Sequence, residues 1–133
     1  MLRVPQKKPK WWSETLVILY GIKNCDTVKR ARKWLDNRAV DYEFHDFRTD
    51  GLSAEPVEQW LKELGWETLI NKRSTSWKQL DADTRENMNT ETAKAAIMAQ
   101  PTLIKRPLLD TGESRFTGFL AENYEKIFTQ HTL

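Results

Sequence analysis

The chain has 133 residues, 39% hydrophobic and 30% charged, with six tryptophans, three tyrosines and five phenylalanines, which is enough apolar content to order a single domain and excludes a disordered chain. Its 21 basic and 19 acidic residues leave a net charge of +2, which does not suggest the concentrated basic face of a duplex-DNA binder. No apolar run approaches the roughly 18 residues of a membrane span, and the N-terminus lacks the apolar stretch and small-residue cleavage site of a secretory signal, so the expectation is a cytoplasmic protein with no membrane contact.

Residues 1–14 hold two prolines and four basic side chains without apolar period, and read as a flexible extension before a domain over 15–133, with Trp11 and Trp12 free to dock on it. The run T-L-V-I-L-Y from Thr15 to Tyr20 is continuously apolar, as suits a strand buried on both faces, and Gly21 is expected to break it. After the polar loop, Cys25 to Asn37 places Val28, Ala31 and Leu35 at helical spacing, and Tyr42 to Phe47 is a second strand, parallel to the first by a right-handed crossover. The turn R-T-D-G follows. Ser53 can cap a helix with Pro56 in its first turn and Val57, Trp60, Leu61 and Leu64 on one face, stopped by Gly65.

From Trp66 to Asn89 the pattern is broken and predicts short helical turns joined by loops. Thr90 can cap a helix with Ala93, Ala96 and Ile97 as its apolar stripe, ended by Pro101. Thr102–Ile104, Leu108–Asp110 and Arg115–Thr117 read as short extended pieces, with T-G-E-S as a hairpin turn, and a last helix uses Leu120, Tyr124, Ile127 and Phe128. The class is α/β, a mixed sheet with helices.

Cys25 is the only cysteine. It cannot form an internal disulfide, so any redox cycle takes its second sulfur from another molecule. The unpaired N–H groups and dipole of a helix N-terminus favour a thiolate, and Cys25 stands at such an end, with Lys23 and Lys29 nearby and Asp26 opposing them. A lone cysteine is more often a buried, inert small hydrophobe. The short polar loop and the neighbours Asn24, Asp26 and Thr27 are poor company for a core side chain, and they favour the reactive reading.

Ile104-Lys105-Arg106-Pro107 precedes a strand. Pro107 either holds a cis bond that leaves neighbouring backbone groups free to pair with a ligand, or is a trans residue bounding an edge strand. Arg106 either grips a sulfonate, carboxylate or oxyanion with its planar fork or is an ordinary surface arginine. Arg73 lies in the polar segment N-K-R-S-T-S-W, which either surrounds an anion or is simply solvated. His45 and His131 lack metal-ligand spacing, so no metal site is expected. Trp34 and Trp60 read as core, and the basic residues of the first helix as a solvated face.

Four motifs in series, Y-G-I-K-N-C-D-T-V-K-R-A at Tyr20–Ala31, D-G-L at Asp50–Leu52, N-K-R-S-T-S-W at Asn71–Trp77 and P-T-L-I-K-R-P-L at Pro101–Leu108, resemble the ArsC/Spx family of arsenate-reductase-like proteins, most closely its YffB-like branch. The resemblance covers nearly all of 15–130. It implies a thioredoxin-like fold with a helical insertion, a catalytic Cys25, and Arg106 on a cis-proline segment close to the sulfur; Asn24, Asn71, Arg73 and Pro107 are the expected substrate-binding positions, with Asn24 placed to stabilise the thiolate. In glutaredoxin-coupled arsenate reductases of the family two further arginines hold the oxyanion. Here Asn71 aligns with one, with Arg73 two residues on, and Gly118 with the other, with Arg115 nearby. Spx-type members bind the RNA polymerase α subunit, and many carry a C-x-x-C switch whose second position is Val28 in this chain.

The expectation is a monomeric, glutathione-dependent thiol oxidoreductase with a single nucleophilic cysteine. Glutathione would be its co-substrate, with no tightly bound cofactor, glutaredoxin a possible partner, and a small anionic or disulfide substrate. The alternatives are a glutaredoxin-coupled arsenate reductase and a non-enzymatic Spx-like regulator that binds the polymerase.

Overall fold

A computed structural model of the chain describes residues 17–131. The extension over 1–14, with Trp11 and Trp12, and the Thr15–Leu16 start of the first predicted strand lie outside the described residues. Strand β1 (Val17–Gly21) leads into helix α1 (Asp26–Asn37) and strand β2 (Tyr42–Asp46), and the two strands pair in parallel with Val17 opposite Tyr42 and Gly21 opposite Asp46. Gly21 therefore ends the strand from within, where a break was expected. A Cβ there would lie 2.7 Å from Val28 Cγ2, so the missing side chain is what lets α1 cross the strand end.

The R-T-D-G segment folds as one helical turn, α2 (Phe47–Asp50), which also takes Phe47 out of the predicted strand. The Asp46 carboxylate caps this turn by accepting the N–H groups of Arg48 at 2.7 Å and Thr49 at 3.4 Å. Helix α3 (Ala54–Leu64) buries Val57, Trp60 and Leu61, as its periodicity requires. The broken stretch supplies three short helices, α4 (Trp66–Leu69), α5 (Thr75–Lys78) and α6 (Ala82–Glu86), the last two capped by Ser74 and Asp81.

Helix α7 (Thr90–Ala99) is capped by Asn89 in place of Thr90. The Asn89 side chain accepts the Thr92 N–H while the Thr92 hydroxyl accepts the Asn89 N–H, a reciprocal pair that satisfies two orphan donors at once. The predicted strand Thr102–Ile104 is mostly a 3-10 turn, Pro101–Leu103, and only Ile104 is extended, bridging Ile70. Strands β3 (Leu108–Asp110) and β4 (Arg115–Thr117) form the hairpin, and β3 pairs antiparallel with β1, giving the order β2-β1-β3-β4. The last helix, α8 (Ala121–His131), starts just after Leu120, which is 58% exposed instead of part of the apolar stripe.

The alternation of β1 sends Ile18 and Tyr20 to one face of the sheet and Val17 and Leu19 to the other. On the first face lies the larger core, built from the helical insertion: Val57, Trp60 and Leu61 of α3, Leu69 of α4, Ala93 and Ile97 of α7. On the second, Ala31 and Leu35 of α1 meet Tyr124 and Ile127 of α8. This is a mixed α/β fold of the thioredoxin type with helical insertions, and the paired faces place the head of α1 beside the segment leading into β3.

Candidate active site

Between β1 and α1 the chain makes a tight turn in which the Cys25 N–H donates to the Ile22 carbonyl at 3.1 Å. The Lys23 N–H donates to Asp46 Oδ2 at 3.0 Å, so the carboxylate that ends β2 also fastens the cysteine loop. Burial opposes charge on Asp46, but the backbone N–H groups of Arg48, Lys23 and Thr49 outweigh it and hold the carboxyl below its ordinary 3.8. Sequence reasoning missed this residue. The available signal was an aspartate two residues ahead of R-T-D-G, where it can cap that turn.

Cys25 is the N-cap of α1, extended at φ −86 and ψ 126, with its carbonyl accepting the Lys29 N–H at 2.9 Å and its side chain making no capping bond. The thiol is half-buried and packs against the larger core. The helix proper begins at Asp26, so the N–H groups of Asp26, Thr27 and Val28 have no acceptor within the helix. A negative sulfur at this position faces the positive end of the helix dipole.

The Arg106–Pro107 bond is cis, and the Pro107 carbonyl accepts the Gly118 N–H at 2.9 Å. Pro107 is buried, and the half-buried Arg106 donates to the Thr102 carbonyl at 3.5 Å. Arg106 lines a cleft of about 710 Å³ together with Thr27 and Arg30 of α1 and with Asn71, Lys72 and Arg73. Three of the predicted positions, Arg106, Asn71 and Arg73, thus meet in one cleft with the first turns of α1. Cys25, at the head of that helix, Asn24, exposed in the preceding turn, and the buried Pro107 are not among its lining residues.

Asn71 shapes the loop that it starts. Its N–H donates to the Leu103 carbonyl at 2.8 Å, and its Oδ1 accepts the Arg73 N–H at 3.0 Å. Lys72, which the sequence reading passed over, extends over a pair of stacked tryptophans: its Nζ lies 5.0 Å from the ring centre of Trp66 and 5.8 Å from that of Trp77, and the rings are 6.3 Å apart and inclined by 15°. Arg115 does not make good the arginine that Gly118 lacks. Its guanidinium is held by Glu63 at 2.7 Å and Asp110 at 3.2 Å, away from the cleft. Among the described residues no three His, Cys, Asp or Glu side chains cluster as metal ligands do, and no helix is long and apolar enough to cross a membrane.

The ArsC family model matches residues 20–127, from the end of β1 into α8. The chain belongs to the ArsC family. A protein of Haemophilus influenzae without assigned function is 40% identical over 113 residues, covering 85% of this chain and 99% of the relative. The global transcriptional regulator Spx of Lactiplantibacillus plantarum is 31% identical over 96 residues, 71% of this chain and 72% of the regulator. Among solved structures, a YffB protein aligns with TM-score 0.79 and 39% identity over 83% of this chain and 96% of its own. An arsenate-reductase-related protein of Brucella melitensis aligns with TM-score 0.70 and 41% identity over 86% and 95%. The ArsC/Spx superfamily thus accounts for the fold. Family and fold place the protein among thiol-based, oxidoreductase-like members, with Cys25 as its single cysteine.

Proposed function

We propose that the protein is a glutathione-dependent thiol oxidoreductase whose nucleophile is Cys25. The observation that carries this reading is the position of the lone cysteine as N-cap of α1, beside a cleft that Arg106 and the first turns of the same helix line together. The Cys25 thiolate attacks one sulfur of an anionic disulfide that carries a glutathionyl group, forming Cys25–S–S–glutathione and expelling the substrate as its thiolate. A second glutathione thiolate attacks the glutathionyl sulfur, releasing glutathione disulfide and restoring the Cys25 thiolate. The sum is a disulfide exchange: one free glutathione goes to the disulfide level as the substrate sulfur is released as a thiol, and one disulfide bond is broken for each one formed. Arg106 orients the anionic substrate, Arg73 adds charge at the cleft rim, Asn71 holds the loop, Pro107 sets the course of the segment bearing Arg106, and Asn24 shapes the turn before the sulfur.

The test is intact-mass spectrometry after incubation with oxidised glutathione. One adduct per chain is expected, mapped to Cys25 and removed by reduced glutathione. Absence of any adduct at neutral pH sinks the reading. Arsenate reduction with glutathione and glutaredoxin is disfavoured by Asn71 and Gly118 at two arginine positions and by the commitment of Arg115 to Glu63 and Asp110. Turnover of arsenate above a Cys25→Ser control would restore it. The Spx relative supports a second reading, docking on the RNA polymerase α subunit, which a pull-down with wild-type and Cys25→Ser protein alike tests.

A further inference from the structure

Five cations line the cleft, Arg30, Lys72, Arg73, Lys105 and Arg106, against one carboxylate, Glu67. Among the described residues the ion pairs join Arg38 to Glu125, Lys94 to Glu58, and Arg115 to Glu63 and Asp110, so none of the five cleft cations is neutralised by a carboxylate. Their other contacts leave the charge intact: Arg30 donates to Thr27 Oγ1, Arg106 to the Thr102 carbonyl, and Lys72 lies over the tryptophans. Like charges gathered in this way repel one another, and a bound anion relieves that repulsion. The cations come from α1, from the loop after α4 and from the segment before β3, so the positive field is spread along the cleft rather than focused on one point.

A second pocket of about 760 Å³ continues the cleft, and Thr68, Lys105, Thr117, Gly118 and Phe119 form the wall common to both. Its character is different. Beside Lys126 and the ion-paired Arg115 it is lined by Leu64, Phe116, Phe119 and Ile127, and at its rim stands Leu120, the one large apolar side chain exposed among the described residues. A compact oxyanion uses neither the length of the basic cleft nor this apolar extension. A nucleic-acid strand meets the cations but has no flexible aliphatic side chain to fill the space against Leu64 and Ile127, whereas a peptide supplies both carboxylates and an apolar side chain.

We infer that the continuous groove binds an acidic peptide segment of a partner protein, its carboxylates along Arg30, Lys72, Arg73, Lys105 and Arg106 and an adjacent apolar side chain in the pocket beside Leu120. The inference deepens the proposed function and rests on it in one respect: it makes the anionic disulfide attacked by Cys25 a glutathionylated cysteine on an acidic protein segment. Lys72 is then a specificity residue, held at the cleft by Trp66 and Trp77.

The experiment measures fluorescence anisotropy of a labelled, cysteine-free peptide with glutamates on both sides of a phenylalanine, added to the full chain carrying Cys25→Ser. Because neither peptide nor protein has a thiol, the result is independent of whether Cys25 takes up glutathione. Saturable binding that weakens as salt is raised is expected, with each of Lys72→Gln and Arg73→Gln lowering affinity roughly tenfold. Leu120→Ser is expected to weaken the phenylalanine peptide and to leave a peptide with alanine in its place unchanged. The inference is overturned by absence of binding, by equal binding of a peptide with glutamine for every glutamate, or by an oligonucleotide of matching charge binding as tightly. Since the peptide comparisons need no protein substitution, they stand even where a variant folds poorly.

Discussion

Gly118 donates its N–H to the Pro107 carbonyl at 2.9 Å, which ties the chain after β4 to the segment that carries Arg106. Gly118 holds φ at +78, a left-handed conformation that a Cβ disfavours by about 1–2 kcal/mol, while the space itself is open enough, with Lys105 Cε 3.5 Å from the Cβ position. Gly118→Ala is therefore expected to lower the unfolding free energy by about 1–2 kcal/mol, read as a lower urea midpoint at an unchanged slope. An unchanged midpoint would show that this backbone relaxes freely.

Gly21 and Val28 are coupled across the strand end. A methyl at residue 21 would meet Val28 Cγ2 at 2.7 Å and Cγ1 at 3.3 Å, so Gly21→Ala is expected to cost about 1–3 kcal/mol by overpacking. Adding Val28→Ala should recover part of that loss. A double-mutant cycle with no coupling energy in urea denaturation would refute the close packing.

Asp46 makes the cysteine loop sensitive to acid. Because its native carboxyl titrates below its ordinary 3.8, the carboxylate contributes stability that is fully present above that value and is lost as pH falls through the lower native one. Asp46→Asn is expected to be less stable at neutral pH by about 0.5–2 kcal/mol, as for a lost helix cap, with the gap closing below about pH 4. The accompanying readout is the alkylation rate of Cys25. Displacement of the Lys23 N–H from Asp46 should change that rate, and a variant that only lost stability would leave it as it was.

Tyr124 is 1% exposed, and its hydroxyl has no hydrogen-bond partner among the described residues. Burial pushes its phenol well above the ordinary value of 10.0. Tyr124→Phe is expected to raise stability by about 1 kcal/mol, since the hydroxyl is desolvated without compensation. A phenol raised in the folded state keeps its proton where the unfolded chain has lost it, so stability falls above pH 10. That alkaline decline should be shallower in the variant, and a destabilised Tyr124→Phe would reveal an unseen partner.

Arg106 is expected to act through its planar fork. Arg106→Gln should slow turnover of an anionic disulfide about ten- to a hundredfold, as for loss of a charge-assisted contact, while its effect on a neutral disulfide is small. Arg106→Lys keeps the charge without the bidentate geometry and should recover only part of the rate. Equal rates for both substrates in all three proteins would remove Arg106 from substrate recognition.

Local chemistry made most of the elements legible. Glycine and proline bounded α3 and α7, the apolar period placed their buried faces, and the four motifs placed the cysteine and the Arg106–Pro107 segment in the right order. The errors fell at element ends, where a single short-range contact that apolar periodicity does not reveal decides. Gly21 stayed in the strand because Val28 packs over it, R-T-D-G became helical because Asp46 caps it, and Leu120 was left exposed because α8 starts one residue later.

By itself, the sequence determined that this protein has a single thiol at a helix start, so that any disulfide it forms takes its second sulfur from another molecule, because covalent chemistry and local backbone geometry need no distant partner. Only the tertiary structure decided what surrounds that thiol. A chain of net charge +2 folds so that three separate segments bring five cations to one cleft, because the parallel β1–β2 pair and the turn into β3 set the head of α1 against loops that lie far from it in sequence. The same fold turned Arg115 aside to Glu63 and Asp110, a choice made by which carboxylates lie within reach and not by the residues beside it in the chain.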